Sequence, residues 1–317
     1  MQTAAPDYSY LESIAATQKN LEFPTRFAVE VTAECNLKCS MCHHKDMIRP
    51  KGRMPFELWK RCADQIARES PSTQCWFSFC GEPLLEPDLL IKMIKYGKSV
   101  GLASVNINTN GMLLEPSLAV PIAESGVDLV VFGIDGFSPE VFEKIRVEAN
   151  RNIVYANAGH FLEVCTSRGK PEVQVQFIEM AENQHELDPF KSYWLKRGAT
   201  IKARRMLSWG GQFQTSLDAP KEWRIPCPWA CTMMHVFWDG RVPRCPGDTE
   251  GHEGAGNSWD ESLKDLWAKL GKYRDLHLER RFSELPDRCR DCTDWMTGSA
   301  ERIRPEEEAL KAKTEEA

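Results

Sequence analysis

The chain lacks long apolar stretches and an excess of positive charge. Its 317 residues carry 40 Lys and Arg against 46 Asp and Glu, a net charge of −6. No apolar run approaches the roughly 20 residues of a membrane-spanning helix, and no basic stripe interleaved with aromatic residues is present. The N-terminal segment lacks the basic-then-apolar order of a signal peptide. These absences argue against a membrane, secreted or nucleic-acid-binding protein, and we expect a cytoplasmic one.

Cysteine, in contrast, is abundant. Twelve cysteines are many for a chain without an export signal, because disulfides are rare in reducing cytosol. Most of them fall in short-spaced groups, which in a cytosolic protein more often bind metal or react. We therefore expect metal or redox chemistry in a folded protein of otherwise ordinary composition.

Between residues 27 and 210, short apolar segments alternate with amphipathic ones. Strands are predicted at 27–32, 74–79, 104–108, 129–134, 173–178 and 200–206. Helices are predicted at 55–70, 87–100, 116–125, 139–146 continuing through 152–167, and 185–197. Six such repeats predict an α/β protein with a parallel sheet covered by helices, fewer than a closed TIM barrel contains.

The pattern changes after residue 210. Residues 211–226 are predicted to be a linker, and a hairpin is predicted between 235–238 and 242–244, turned by Asp239-Gly240. A single long helix is predicted at 261–282. The charged residues 301–317 are expected to form a solvated helix or a frayed tail.

Three cysteines stand close together near the start of the chain. Cys35, Cys39 and Cys42 are separated by three and by two residues. A [4Fe–4S] cluster normally takes four thiolates, so three leave one iron open for another ligand. Structural zinc closes its tetrahedron with a fourth Cys or His, and the adjacent His43 is poorly placed to reach back to the same ion. The triplet favours a cluster over zinc.

Polar residues end three of the predicted strands: Gly81-Glu82-Pro83, then Asn108 and Asn110, then Asp135. An ammonium group is bound by backbone carbonyls and carboxylates, and glycine permits close approach of the backbone. Turn formation alone also accounts for each of these segments.

Four further cysteines form two separated pairs, Cys227 with Cys245 and Cys289 with Cys292. Together they make a complete Cys₄ site, which by its chemistry could hold zinc or an iron–sulfur cluster. Cys231 is left over, and a packed thiol is the common fate of such a residue.

The two cysteine groups, in this order and with Gly-Glu-Pro between them, resemble those of the radical SAM superfamily. The Cys-x12-Gly-x4-Cys…Cys-x2-Cys pattern resembles the twitch domain, a shortened form of the SPASM domain. The resemblance implies a partial (β/α)6 radical SAM barrel followed by a small C-terminal twitch-type auxiliary cluster domain. The expected division is an N-terminal extension (1–24), the barrel (25–210), a linker (211–226), the auxiliary iron–sulfur domain (227–300) and a charged tail (301–317).

The resemblance also implies the cofactors. S-adenosyl-L-methionine (SAM) would bind the open iron of a [4Fe–4S] cluster held by Cys35, Cys39 and Cys42. A second, auxiliary [4Fe–4S] cluster would be held by Cys227, Cys245, Cys289 and Cys292. The implied SAM contacts are Met41 at the adenine, Gly81, Glu82 and Pro83 at the amine, Asn108, Asn110 and Asp135 at the ribose and methionine, and Arg146 or Arg151 at the carboxylate.

A radical SAM enzyme with one auxiliary cluster resembles the deoxy-scyllo-inosamine dehydrogenases and cytosylglucuronate decarboxylases. We expect hydrogen abstraction from a small polar substrate (a sugar, aminocyclitol or nucleoside) in specialised metabolism such as antibiotic biosynthesis. The expected outcome is two-electron oxidation with the auxiliary cluster as acceptor and a flavodoxin or ferredoxin as electron donor. The 24 residues before the first strand are too few for a peptide-binding domain.

Three alternatives stay open. Decarboxylation would need a cationic clamp, for which Arg204 and Arg205 are candidates. Epimerisation would need a hydrogen donor, for which Cys231 is the candidate. A non-catalytic module that binds zinc or a cluster is the alternative from another class.

Overall fold

The computed structural model describes residues 8–214, 218, 220–298 and 301–305. These residues form ten strands: β1 (Arg26–Val29), β2 (Gln74–Phe77), β3 (Ser104–Thr109), β4 (Leu129–Gly133), β5 (Glu172–Glu179), β6 (Thr200–Arg205), β7 (Met233–Val236), β8 (Arg241–Val242), β9 (Gly256–Asn257) and β10 (Glu301–Ile303). Within this described part, eight strands form one sheet in the order β10-β6-β5-β4-β3-β2-β1-β7. The pairings from β7 through β6 are parallel, and β10 joins β6 antiparallel.

The described residues also form eleven α-helices: α1 (Tyr10–Ala15), α2 (Phe56–Glu69), α3 (Pro87–Ser99), α4 (Pro116–Ala123), α5 (Pro139–Ile145), α6 (Arg151–Arg168), α7 (Leu187–Leu195), α8 (Pro228–Thr232), α9 (Leu263–Lys269), α10 (Gly271–Leu278) and α11 (Asp287–Asp291). Four of them begin with proline, whose fixed φ suits the first helical position. No described helix is long and apolar enough to cross a membrane.

The two faces of the sheet have opposite chemistry because side chains alternate along a strand. Apolar residues such as Phe27, Phe77 and Val175 face the helices and are fully buried in the main core. The residues between them, including Trp76 and Gln176, line a cavity inside the curved sheet. The fold class and the six predicted barrel strands are confirmed, and the sheet encloses a cavity lined by both polar and apolar side chains.

The predicted hairpin after residue 235 is wrong. The Asp239-Gly240 turn forms, with Gly240 donating to the carbonyl of Phe237 at 3.0 Å. The strand before the turn, β7, instead pairs in parallel with β1, and the strand after it, β8, pairs with β9. By pairing with β1, β7 covers a strand edge that would otherwise expose unpaired backbone groups. All four residues of β7 are buried.

Three other predicted elements differ. The helix expected through 139–167 is interrupted, because Asn150 caps a new helix by accepting from the amide of Ile153 at 3.1 Å. The helix expected at 261–282 divides into α9 and α10 at Leu270-Gly271, where glycine lowers helix propensity. Residues 301–303 form strand β10 rather than a helix, and the rest of the predicted tail, 306–317, lies outside the described residues.

Candidate active site

A cavity of about 490 Å³ occupies the interior of the curved sheet. At one end it is lined by Cys35, Cys39 and Cys42. Pro228 and Pro246, the neighbours of Cys227 and Cys245, line the same cavity. The two predicted cluster sites therefore border a single space.

The loop that carries the first three cysteines is held by its backbone. The amides of Lys38 and Ser40 donate to the carbonyls of Val147 and Ile145, at 3.1 and 2.8 Å. Cys42 Sγ accepts from the amide of His44 at 3.5 Å, which caps a short 3₁₀ helix. These contacts hold the loop against the segment that follows α5.

The thiols of this loop are largely desolvated. Burial raises the pKa of Cys35 to about 12 and that of Cys42 to about 11, and the neighbouring thiols add to both shifts. Both groups stay protonated at neutral pH, so binding of a metal centre would release their protons. The thiols of Cys35, Cys39 and Cys42 are close enough to affect one another's pKa values. Three ligands of one cluster must lie this close together.

Gly81 and Glu82 lie directly against this loop. A Cβ at Gly81 would overlap the carbonyl oxygens of Thr32 and Glu34, so only glycine fits. The amide of Glu82 donates to the carbonyl of Glu34 at 2.9 Å. The segment after β2 and the segment leading into Cys35 are therefore in backbone contact.

The Glu82 carboxylate is fully used within the protein. It accepts from the amides of Leu84 (3.0 Å) and Asn110 (2.8 Å) and from Thr109 Oγ1 (2.8 Å). Burial raises its pKa, and these donors oppose the shift. Glu82 thus joins the ends of β2 and β3 and positions the backbone around Gly81.

Asp135 and Arg146 form a buried ion pair beside the first cysteines. Asp135 has φ +65 and accepts from the amide of Ile178 at 2.8 Å. Its other oxygen pairs with Arg146, whose Nη1 donates to Cys39 Sγ at 3.6 Å. Burial acts to lower the pKa of Arg146, but Asp135 and Cys39 outweigh it and raise the pKa. Arg146 lines the cavity and Asp135 supports it from behind.

Two buried polar atoms at the cavity have no hydrogen-bond partner among the described residues. Asn108 Oδ1 and His235 Nδ1 are both buried without a hydrogen bond, and both residues line the cavity. Burial lowers the pKa of His235 to about 3, so its imidazole is neutral at physiological pH. Because buried polar atoms without partners are unfavourable, these two atoms favour a ligand with hydroxyl groups, which can donate and accept hydrogen bonds.

Sequence reasoning missed much of the cavity wall. Trp76, Gln176 and Lys202 line it, and so do Arg26 and Arg302 at the end away from the cysteine loop. Each of these residues follows the two-residue alternation of its strand, which was the available signal. The alternation shows which residues share a face of the sheet, but it does not show that this face encloses a cavity.

The four C-terminal cysteines also come together. Burial raises the pKa values of Cys227 and Cys292. The nearby thiols of Cys289 and Cys245 raise that of Cys227 further, and those of Cys227 and Cys245 raise that of Cys292. His277 accounts for two further contacts: its Nδ1 accepts from the amide of Cys227 at 3.4 Å, and its Nε2 lies 3.5 Å from Cys289 Sγ. This histidine was not predicted.

Cations lie beside the same cysteines. The Arg224 guanidinium donates to the carbonyls of Arg290 and Cys289, each at 2.8 Å, and stacks on Phe282 at 4.7 Å. Burial acts to lower the pKa of Arg244, but its neighbours, among which the electrostatic interaction with Cys245 contributes most, together outweigh it and raise that pKa. Positive charge beside four thiolates suits an anionic cluster.

Apart from the four C-terminal cysteines, the predicted site residues that do not line the cavity are Arg205, Cys231, Pro83, Asp135 and Arg151. Arg205 points away from it and places its guanidinium over Tyr8, at 5.8 Å. Cys231 is fully buried beside Arg274 in the C-terminal part. Pro83 begins a short 3₁₀ helix behind Gly81, and Asp135 acts through Arg146. Met41, Asn110 and Arg204 do line it.

The residues present fit two iron–sulfur clusters with SAM at the first. The donor sets are three thiols beside an open cavity and four thiols in a closed group, and the cavity presents unpartnered acceptors. Among the described residues, no three His, Cys, Asp or Glu side chains converge on a single metal ion. A four-iron cluster does not require this, since each thiolate binds a different iron.

Comparison with known families agrees with this geometry. Residues 29–181 match the radical SAM superfamily, and residues 227–293 match the SPASM iron–sulfur cluster-binding domain. The chain belongs to the radical SAM superfamily, in its SPASM/twitch subgroup. Its radical SAM domain provides for a [4Fe–4S] cluster and SAM, and its SPASM domain for an auxiliary iron–sulfur cluster.

Curated relatives match over part of their length. A tungsten-containing aldehyde ferredoxin oxidoreductase cofactor-modifying protein of Pyrococcus furiosus is 28% identical over 184 residues, covering 54% of this chain and 48% of that protein. A probable GTP 3',8-cyclase of Methanothermobacter marburgensis is 26% identical over 181 residues, covering 56% of each. The chain thus spans about half the length of these relatives.

Two solved structures share the fold over most of the chain. BtrN in complex with AdoMet and 2-DOIA has a TM-score of 0.64 at 18% identity, covering 89% of this chain and 100% of that one. Streptococcus suis SuiB bound to its precursor peptide SuiA has a TM-score of 0.68 at 13% identity, covering 90% and 74%.

Proposed function

We propose that this enzyme oxidises a small polar substrate (a sugar, aminocyclitol or nucleoside) by two electrons, with the auxiliary cluster as electron acceptor. One observation carries the proposal: a single cavity is bordered by Cys35, Cys39 and Cys42 and by the neighbours of Cys227 and Cys245. A substrate bound there lies between the two clusters. BtrN, which has a similar fold, is described in complex with a small molecule and AdoMet, and this supports the same substrate class.

When bound, the first cluster and SAM would supply a 5′-deoxyadenosyl radical that removes a hydrogen atom from the substrate carbon, and the auxiliary cluster would accept the electron of the resulting substrate radical as its hydroxyl group loses a proton. The protein's contribution is positioning and exclusion of water. Gly81 keeps the backbone close to the cysteine loop, and we propose that its segment receives the methionyl amine. We propose that Arg146, held by Asp135, binds the methionyl carboxylate.

The remaining lining residues would orient the substrate. Asn108 and His235 offer unpartnered acceptors, which match the hydroxyl groups of a sugar or of the SAM ribose. The neutral imidazole of His235 can accept a hydrogen bond from the hydroxyl to be oxidised. Trp229, in van der Waals reach of His235 with ring centroids 6.3 Å apart, shields this side from water.

Decarboxylation is the second candidate, and Arg204 favours it. Arg204 lines the cavity and donates to Gln176 Oε1 and to the carbonyl of Arg205, and no carboxylate in the described part of the chain forms an ion pair with it. It could therefore hold the carboxylate of a sugar acid. Epimerisation through Cys231 has less support, since the cysteines lining the cavity are Cys35, Cys39, Cys42 and Cys80.

The proposed partners follow from this chemistry. We propose a flavodoxin or ferredoxin as electron donor. We also propose the cytoplasm as the location, where disulfides are rare, since none of the twelve cysteines forms a disulfide. A peptide substrate is the alternative, because the SuiB structure with a similar fold holds a peptide.

Anaerobic reconstitution with iron counting tests the proposal. We expect about eight irons per chain, falling to about four in the Cys35/Cys39/Cys42→Ala variant with loss of 5′-deoxyadenosine, and to about four in Cys289/Cys292→Ala with SAM cleavage retained. Candidate substrates are then followed by mass: loss of two hydrogens indicates oxidation, loss of CO₂ indicates decarboxylation, and solvent deuterium without other change indicates epimerisation. SAM cleavage and unchanged substrate oxidation in Cys289/Cys292→Ala would refute the auxiliary cluster as acceptor.

A further inference from the structure

The end of the cavity away from the cysteine loop is strongly cationic. Arg26 begins β1, Lys202 lies on β6, and Arg302 lies on β10. All three line the cavity. We call this group the basic floor.

The basic floor brings like charges together. Lys202 and Arg302 lie directly opposite each other in the antiparallel pairing of β6 with β10, where like charges are destabilising. Arg204 lies two residues further along β6, so it faces the same cavity but nearer the cysteine loop, where Asp135 and Arg146 act on it. Arg26 is close enough to Arg302 for the two guanidinium groups to affect each other.

Within the part of the chain that the structure describes, no carboxylate balances this charge inside the cavity. Glu82 is the one acidic residue among the described residues that line it. Glu82 lies at the cysteine-loop end, and both its oxygens are engaged by Leu84, Thr109 and Asn110. The nearest carboxylates that attract Arg204, Asp135 and Asp294, lie outside the cavity lining. Both are engaged there, Asp135 by Arg146 and Asp294 by the amides of residues 208 and 210.

The electrostatics of the floor agree with an uncompensated positive charge. Burial lowers the pKa of Lys202 to about 7, and Arg204, Arg302 and Arg26 add to the shift. Burial also lowers the pKa values of Arg204 and Arg26. Arg26 and Arg302 are exposed and Lys202 is half-buried. Like charges held together without a counter-charge among the described residues are stabilised by an anionic ligand.

We propose that the basic floor binds a phosphate group of the substrate, so that the substrate is a phosphorylated sugar or nucleoside. This inference rests on the proposed function and specifies its substrate class. One carboxylate would balance a single cation, whereas a phosphate monoester carries close to two charges and offers three acceptor oxygens. The ring centroid of Trp76 lies 5.8 Å from Lys202 Nζ and supplies an apolar surface beside the floor. Gln176 supplies a further hydrogen-bonding group there.

Phosphate at the floor would direct the rest of the substrate toward the cysteine loop. The acceptors of Asn108 and His235 lie along the same cavity and would take the hydroxyl groups. The reacting carbon then sits at the cluster end, away from the phosphate. No covalent step takes place at the basic floor.

The test is anion binding to the reconstituted holoenzyme by calorimetry at constant ionic strength. The probes are sulfate, a tetrahedral dianion whose charge does not change across the pH range, and succinate as the carboxylate comparison. We expect sulfate to bind about tenfold more weakly at about pH 9 than at about pH 6, because Lys202 loses its proton in between. Sulfate binding should take up a proton near pH 7, since the anion raises the pKa of Lys202.

Three variants separate charge from structure. Lys202→Met should weaken sulfate binding about tenfold at pH 6 and abolish the pH dependence. Lys202→Arg should keep the affinity and lose the pH dependence, because arginine stays charged. Lys95→Met, at an exposed helical position, should behave as wild type.

Absence of sulfate binding by wild type, or equal binding by Lys202→Met, would overturn the inference. Preference for succinate over sulfate would overturn the phosphate assignment. SAM cleavage by wild type is measured separately. A holoenzyme that cleaves SAM but binds no sulfate refutes the basic floor alone, and one that binds sulfate but forms no 5′-deoxyadenosine refutes the proposed function alone.

Discussion

Ser208 and Trp209, adjacent in the chain, contact the two predicted cluster sites. Ser208 Oγ donates to Cys292 Sγ at 3.5 Å, and Trp209 Nε1 donates to the carbonyl of Met41 at 2.9 Å. Asp294 holds the segment by accepting from the amides of Ser208 and Gly210. A dipeptide after β6 therefore connects the N-terminal and C-terminal cysteine groups, and Trp209, at φ +51, adopts a strained conformation to do so.

Loss of the Ser208 hydroxyl should make the auxiliary cluster harder to reduce. Hydrogen bonds to cluster sulfurs raise the reduction potential, so Ser208→Ala is expected to lower it. The measurement is a redox titration followed by EPR in the Cys35/Cys39/Cys42→Ala background, where only the auxiliary cluster remains. Ser125→Ala, which removes a buried hydroxyl bonded to the carbonyl of Ile122, is the control. An unchanged potential in Ser208→Ala contradicts the assignment of Cys292 as a cluster ligand.

Gly81→Ala should disrupt the first site. Its Cβ would overlap the carbonyl oxygens of Thr32 and Glu34, and the chain leading into Cys35 would have to move. We expect loss of SAM binding, measured by equilibrium dialysis on reconstituted protein. Gly159→Ala is the matched control: a Cβ there meets nothing within 4 Å, and alanine within a helix should add about 0.5–1 kcal/mol of stability. Normal SAM affinity in Gly81→Ala would show that this contact is dispensable.

Asp135→Asn should destabilise the protein by about 3 kcal/mol, because it leaves the buried Arg146 charge without its partner. Asparagine tolerates the positive φ of this position, so the change isolates the charge. The free energy of unfolding in urea gives the measurement. Adding Arg146→Met should cost less than the sum of the single changes, and strict additivity would mean that the two residues do not interact.

Lys202→Met should stabilise the protein, with a clear dependence on pH. The pKa of Lys202 falls from 10.5 to about 7 on folding, so between these values the unfolded chain binds more protons and wild-type stability rises with pH. The advantage of the variant is therefore greatest below pH 7 and shrinks as pH rises toward 10.5. Unfolding free energies across this range, compared with Lys95→Met, provide the measurement. A pH-independent difference would mean that Lys202 is not desolvated.

Much of the architecture and of the site could be predicted from local pattern. Strand alternation, helix-start prolines and cysteine spacing are short-range properties, so the six barrel strands and the two cysteine groups were predictable. The hairpin expected after His235 was not, because the sequence of β7 does not show that the open edge of β1 is available to it. Arg205 and Cys231 were selected by their positions near motifs, and only their orientation in the fold shows that they lie outside the cavity.

The sequence by itself determined the class of chemistry, since the number and spacing of thiols decide which metal centres a loop can hold. The tertiary structure decided which residues meet inside the barrel. Arg26, Lys202 and Arg302 are ordinary charged residues in the sequence and become a group of unbalanced cations only when three distant strands face one cavity. Electrostatic energy depends on the distance between charges and on their exposure to water, and both are properties of the folded chain.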